Sequence, residues 1–60
     1  MLVTLDMPKS SLDTFKEMCL ANAIEIQHIQ MDGPGGGNPC VACVADTRQS
    51  AQALIDFYFN

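Results

Sequence analysis

The side chains able to do chemistry are few, and most attention falls on one stretch, "DGPGGGNPCVAC" at residues 32–43. Cys40 and Cys43 form a Cys-x-x-Cys pair, Cys19 stands apart, and His28 is the only histidine. Together they have the donor count of a Cys₃His zinc site, but the two-plus-two spacing of a zinc ribbon is missing. Residues three apart on a strand point to opposite faces, so Cys40 and Cys43 cannot jointly grip one ion. Thioredoxin-type pairs sit at a helix N-terminus, where the dipole lowers the thiol pKa; this pair leads into a strand. The expected role of all three cysteines is that of small buried hydrophobes, with no metal and no cofactor.

The glycine run invites a phosphate reading. Dinucleotide sites and P-loops need glycines that open directly into a helix, whose first amides receive the phosphate. Here the run leads to Pro39 and a strand, and no Gly-Lys-Ser/Thr follows. A nest of amides along Gly33, Gly35, Gly36, Gly37 and Asn38 could still hold a nucleotide or another anion, best of all where two copies meet. The plainer expectation is a flexible hairpin loop over residues 32–39.

Catalysis lacks a signature. Histidine-assisted nucleophiles need an oriented partner and a carboxylate. The acidic residues Asp6, Asp13, Glu17, Glu25, Asp32, Asp46 and Asp56 are spread over caps, helix faces and turns, and no spacing pairs two of them. The sequence is therefore expected to be non-enzymatic.

Sixty residues make one α+β domain, 1–60, near the lower limit of independent folding. At 48% hydrophobic and 17% charged the chain is too apolar for a disordered tail. "MLVTLDMPK" lacks the basic leader and uninterrupted apolar core of a signal peptide, and no run reaches the ~20 residues of a membrane span. Three cysteines, an odd number, argue against a secreted disulfide framework, so a cytoplasmic setting is expected. The net charge is −4, and the basic residues Lys9, Lys16 and Arg48 are scattered. Nucleic-acid binding needs clustered cations, which disfavours direct contact with nucleic acid.

The elements that would position these residues follow from pattern. "MLVTLDM" alternates as a half-buried strand, and Pro8 suits a helix's first turn. "KSSLDTFKEMCLAN" reads as a helix with Leu12, Phe15 and Cys19 on one stripe and Leu20 flanking. Ser10 with Asp13 approximates a capping box, Asp6 is a competing cap, and Asn22 is the expected left-handed stop. "AIEIQHIQM" is a second strand with a phase break: Ile24 and Ile26 share one parity, Ile29 and Met31 the other. Either a bulge near Gln27 and His28 resets the phase or both faces are covered. "CVACVA" is a third strand, apolar at both parities, as in a strand buried on two sides. Asp46 or Thr47 then caps "RQSAQALIDFYF", with Ala51, Leu54, Ile55 and Tyr58 on its sheet-facing side.

The order β-α-β-β-α has one arrangement with right-handed, short connections. Strands one and two run parallel, strand three lies antiparallel between them, and both helices cover one face. This small three-stranded mixed sheet of order 1-3-2 resembles a ferredoxin-like unit lacking its last strand, a likeness of fold that carries no function. It leaves strand one as an edge able to pair with another copy.

The C-terminal "LIDFYF" carries the functional expectation. With Tyr58 toward the sheet, Phe57 and Phe59 project off that face and stay wet in a monomer, unless the last turn frays and one ring tucks inward. Phe57, Tyr58, Phe59, Leu2 on the edge strand and Val41 on the two-sided strand are the expected interface residues of a homodimer. The function expected is that of a small interaction protein binding and modulating a larger protein partner. Inhibitors of host or defence enzymes carried by phages or mobile elements are often of this size. A small-ligand binder using loop residues 33–37 is the alternative.

Overall fold

The computed structural model describes residues 1–31 and 37–59. Side-chain alternation along "LVTLD" produces the first strand, β1 (Leu2–Asp6), with Val3 and Leu5 turned inward and Leu2, Thr4 and Asp6 outward. Met7 is buried beyond its end, and Pro8 opens a 3₁₀ turn at Lys9–Ser11, closed by the Ser11 amide donating to the Pro8 carbonyl at 2.9 Å.

The first α-helix, α1, spans Leu12–Ala21 and buries Leu12, Phe15 and Cys19, the expected stripe, while Leu20 lies exposed. Its start differs from expectation. Ser11 is the N-cap, without a side-chain bond, because the 3₁₀ turn has already moved Ser10 and Asp13 out of capping register. The helix does stop at Asn22, but the left-handed residue is Ala23, at φ 55°. The Ile24 amide donates to the Cys19 carbonyl at 2.9 Å, closing a Schellman turn whose apolar contact is the buried Cys19–Ile24 pair. Asn22 instead uses its side chain, donating through Nδ2 to the Met18 carbonyl at 2.9 Å.

The second strand, β2 (Glu25–Gln30), and the third, β3 (Cys40–Val44), complete a sheet of order β1-β3-β2. Both pairings are antiparallel, so the outer strands run parallel to each other across the middle one. The register shifts between Ile26 and His28, which is the bulge the apolar phase break called for. With Gln27 spliced out of the count, Ile26 and Ile29 both reach the core beside Cys43 and Val41. The expected two-sided burial of β3 is realised unequally. Val41 and Cys43 are sealed against the helices, and Cys40, Ala42 and Val44 are half-buried on the uncovered face.

The second α-helix, α2 (Arg48–Tyr58), begins at Thr47, which settles the choice between Asp46 and Thr47. The Ser50 amide donates to Thr47 Oγ1 and the Thr47 amide to Ser50 Oγ, each at 3.0 Å, a reciprocal cap. Ser50 is fully buried, and its hydroxyl donates to the Thr47 carbonyl at 2.9 Å, so no polar atom there is left without a partner. The helix faces the core with Ser50 and Leu54, and Ala53 and Phe57 pack alongside. Phe57 meets Phe15 edge-on, ring centroids 5.1 Å apart. That contact corrects the expected orientation. Phe57 is the ring drawn inward, and Ile55 and Tyr58 are the ones left outside, because Phe15 offers α2 an aromatic partner on the Phe57 flank.

Both helices and the inward side chains of all three strands share one core, centred on Phe15, Val41 and Cys43. This is the small α+β arrangement expected from element order. No helix among the described residues is long and apolar enough to cross a membrane.

Candidate functional site

The sheet geometry disperses the cysteine and histidine set. Cys19 and Cys43 lie inside the core, whereas Cys40 and His28 sit on the uncovered face, opposite Gln30 and Ala42 respectively. Burial, with the neighbouring Cys43 adding to it, pushes the Cys19 thiol up to about 11, and burial raises Cys43 as well. Cys40 is also raised, first by desolvation and then by Asp6, whose carboxylate accepts from the thiol and disfavours a second negative charge. All three thiols are free. Held above their ordinary values, the three thiols are harder to convert to the nucleophilic thiolate than a free cysteine. Among the described residues no group of three or more histidine, cysteine, aspartate or glutamate side chains is placed to hold a metal ion.

The glycine-loop residues Gly33, Gly35 and Gly36 lie outside the described residues. Gly37 and Asn38 are exposed, and a Cβ at Gly37 would meet nothing within 4 Å.

The proposed interface residues divide. Val41 is sealed at 0% exposure between sheet and helices, so it is a core residue and not a docking one. Phe57 is engaged with Phe15. Leu2, Tyr58 and Phe59 remain at the surface, 66%, 61% and 78% exposed, and Ile55 joins them at 50%. Tyr58 and Phe59 stack edge-on with centroids 5.3 Å apart, forming one aromatic knob at the end of α2.

Ile55, Tyr58 and Phe59 stand beside β1 on its helix side, and Leu2 lies on the strand itself, facing the uncovered side. The main chain there can be read from its partners. Met1 accepts from the Ala45 amide at 3.0 Å and Met7 donates to the Pro39 carbonyl at 3.1 Å. In an antiparallel ladder such inward pairs alternate with outward residues. Met1, Val3, Leu5 and Met7 therefore bond toward β3, and the N–H and C=O groups of Leu2, Thr4 and Asp6 point away from the sheet. Among the described residues no strand pairs with that side.

Two adjoining cavities flank this edge. One, of about 230 Å³, lies under Val3, Leu5, Leu54, Ile55, Tyr58 and Phe59, and its walls are almost wholly apolar. The other, of about 520 Å³, continues past Leu5 and Tyr58 to Asp6, Ser10, Ser11 and Thr14. Sharing Leu5 and Tyr58, they make one groove running the length of β1, oily at one end and hydroxyl-lined at the other. Sequence patterning marked the edge strand and the terminal aromatics separately. It missed Ile55 as a surface residue, since Ile55 and Leu54 both fit an inward stripe and only the Phe15–Phe57 contact decides between them.

A row of unsatisfied main-chain donors and acceptors beside an apolar trough is suited to receiving an extended polypeptide. In strand addition of this kind, main-chain hydrogen bonds fix the added strand and pockets take its alternate side chains. No protein-family model matches the chain, and neither does any curated protein or solved structure.

Proposed function

We propose that this chain is a non-catalytic binding module that acts by docking on another polypeptide through the β1 groove. The observation that supports the reading is the coincidence of a regular, unpaired strand edge with a trough that is nearly free of polar surface. Covering Ile55 and Phe59 fully would stabilise a complex by at most about 1.5–3 kcal/mol each. Association costs at least about 4 kcal/mol in lost translation and rotation. Two side chains alone do not suffice; the edge hydrogen bonds and the rest of the trough must be engaged together. Docking through this edge modulates a larger partner by occupying its surface, and the same edge suits self-association.

The test compares tagged protein with three variants and asks which polypeptides, an untagged second copy included, are retained in stoichiometric amount. Thr4→Pro removes an outward N–H, which an edge strand tolerates without losing its inner ladder. Ile55→Asp places a charge in the trough, and Leu20→Asp alters a side chain exposed elsewhere. Wild type and Leu20→Asp should hold the same polypeptide, and the other two should hold at least tenfold less while keeping native circular dichroism. A polypeptide retained equally by all four, or none retained by any, sinks the reading.

A further inference from the structure

Resting on that reading, we infer that the strand received by the groove is β1 of a second copy, paired antiparallel about a two-fold axis through Thr4. The outward main-chain groups belong to Leu2, Thr4 and Asp6, a set centred on Thr4. Turning one copy about that centre sets Thr4 opposite the other's Thr4 and Leu2 opposite Asp6. Each of these facing pairs exchanges both of its hydrogen bonds, about six in all.

The side chains agree with this register on both faces. On the helix side, Val3 falls opposite Leu5 of the second copy, two half-buried apolar residues in the close, non-hydrogen-bonded position. The axis is perpendicular to the sheet, so the helices of both copies lie on the same face. Ile55, Tyr58 and Phe59 of each then overhang the Val3–Leu5 pairs at the junction, where the trough is. On the uncovered face threonine meets threonine, a favourable cross-strand pair.

Charge favours the same register. Asp6 faces leucine, and the two Asp6 carboxylates stand four residues apart along the strands, about 14 Å. That exceeds the ~8 Å screening length at physiological salt, so their repulsion is largely removed. A parallel pairing in register would set Asp6 against Asp6. At −4 per copy the long-range repulsion opposes association, and added salt should strengthen it.

The consequence is a continuous six-stranded sheet with four helices on one side. The experiment uses single-cysteine edge variants in the full chain with Cys40→Ser, leaving Cys19 and Cys43 buried. In a hydrogen-bonded antiparallel pair the Cα atoms are about 5.5 Å apart, inside the range a disulfide spans. Thr4→Cys should cross-link to itself on mild oxidation. Leu2→Cys alone and Asp6→Cys alone should cross-link at least tenfold more slowly, and a mixture of those two should give the mixed dimer. Wild-type protein should sediment as a dimer that dissociates on dilution, with Leu2, Thr4 and Asp6 amides losing exchange protection as it does so.

Self-cross-linking of Leu2→Cys as fast as Thr4→Cys overturns this register. A wild type that stays monomeric overturns self-pairing. If that monomer's edge amides are then protected by a different polypeptide, strand acceptance stands without self-pairing; if nothing protects them, both fail.

Discussion

The two outer strands meet solvent in different ways. β1 is regular over its whole length and backs onto an apolar trough, and its only charge is Asp6 at one end. β2 is broken by the Gln27 bulge and carries Glu25, Gln27 and His28 exposed, with Gln27 Nε2 donating to Glu25 Oε1 at 3.1 Å. Bulges and charges are how sheet proteins discourage pairing at an edge. The chain thus protects one edge and leaves the other ready. On the proposed reading, that asymmetry separates an edge left to water from the edge that receives another strand.

Deleting Gln27 is the largest perturbation of this contrast. Every Cα pairing between β2 and β3 survives the deletion, and "EIHIQ" becomes a regular alternating strand with both isoleucines still inward. Stability should change by only about 1 kcal/mol. Association should change outright: with two receptive edges the protein should form open-ended assemblies, visible as species larger than wild type in sedimentation at equal concentration. If the deletion variant keeps the wild-type size, the bulge is not what protects β2.

Alkali should loosen the β2 side first, where α1 packs. The Cys19 thiol is raised to about 11 in the folded state against 9.0 as an ordinary thiol. The unfolded chain therefore loses its proton first as pH rises. The stabilisation is complete below pH 9 and is lost between 9 and about 11, amounting to about 2 kcal/mol or less. Urea midpoints should be flat through neutrality and fall in that window, and Cys19→Ala should make the slope shallower, leaving the part that the raised Cys43 thiol contributes, while lowering the plateau.

Thr47→Ala tests the other side, since the Thr47–Ser50 cap fixes the start of the helix that walls the β1 trough. It should cost about 1 kcal/mol in chemical denaturation and weaken docking in step. Ala23→Gly is the smallest change and the opposite in sign. It relieves a left-handed alanine at the turn feeding β2, and the strain removed outweighs the added chain entropy, for a gain below about 1 kcal/mol. Thermal unfolding should shift upward with no change in the β1 edge.

Most of the fold was legible because each element carries a local signal. Alternation marks β1, the odd spacing from Ile26 to Ile29 demands a bulge, and Thr47 followed by Ser50 marks a helix start. Strand order came from connection lengths and handedness rather than from any one residue. What escaped was rotation about helix axes. "ALIDFY" offers two inward stripes sharing Leu54, and Phe15, more than thirty residues earlier, selects the one containing Phe57. The same long-range packing hides Val41 and exposes Ile55. The turn at Ala23 escaped for another reason: asparagine tolerates the left-handed state better than alanine, but backbone closure from Ile24 to Cys19 places that state one residue later. The groove itself had no sequence signature, because it exists only where β1 and α2, from opposite halves of the chain, come together.

The position of β3 between the other two strands has a kinetic consequence. During synthesis β1 and β2 emerge first, yet neither has a neighbour to pair with until residues 40–44 have been made. Every contact of β1 in the sheet spans more than thirty residues of chain, from Asp6 to Cys40 at the nearest. Such non-local closure slows folding relative to a hairpin-built sheet of equal size. The nascent polypeptide should consequently acquire its structure late and in one cooperative step, with Val41 and Cys43 as the keystone whose arrival lets both flanks assemble.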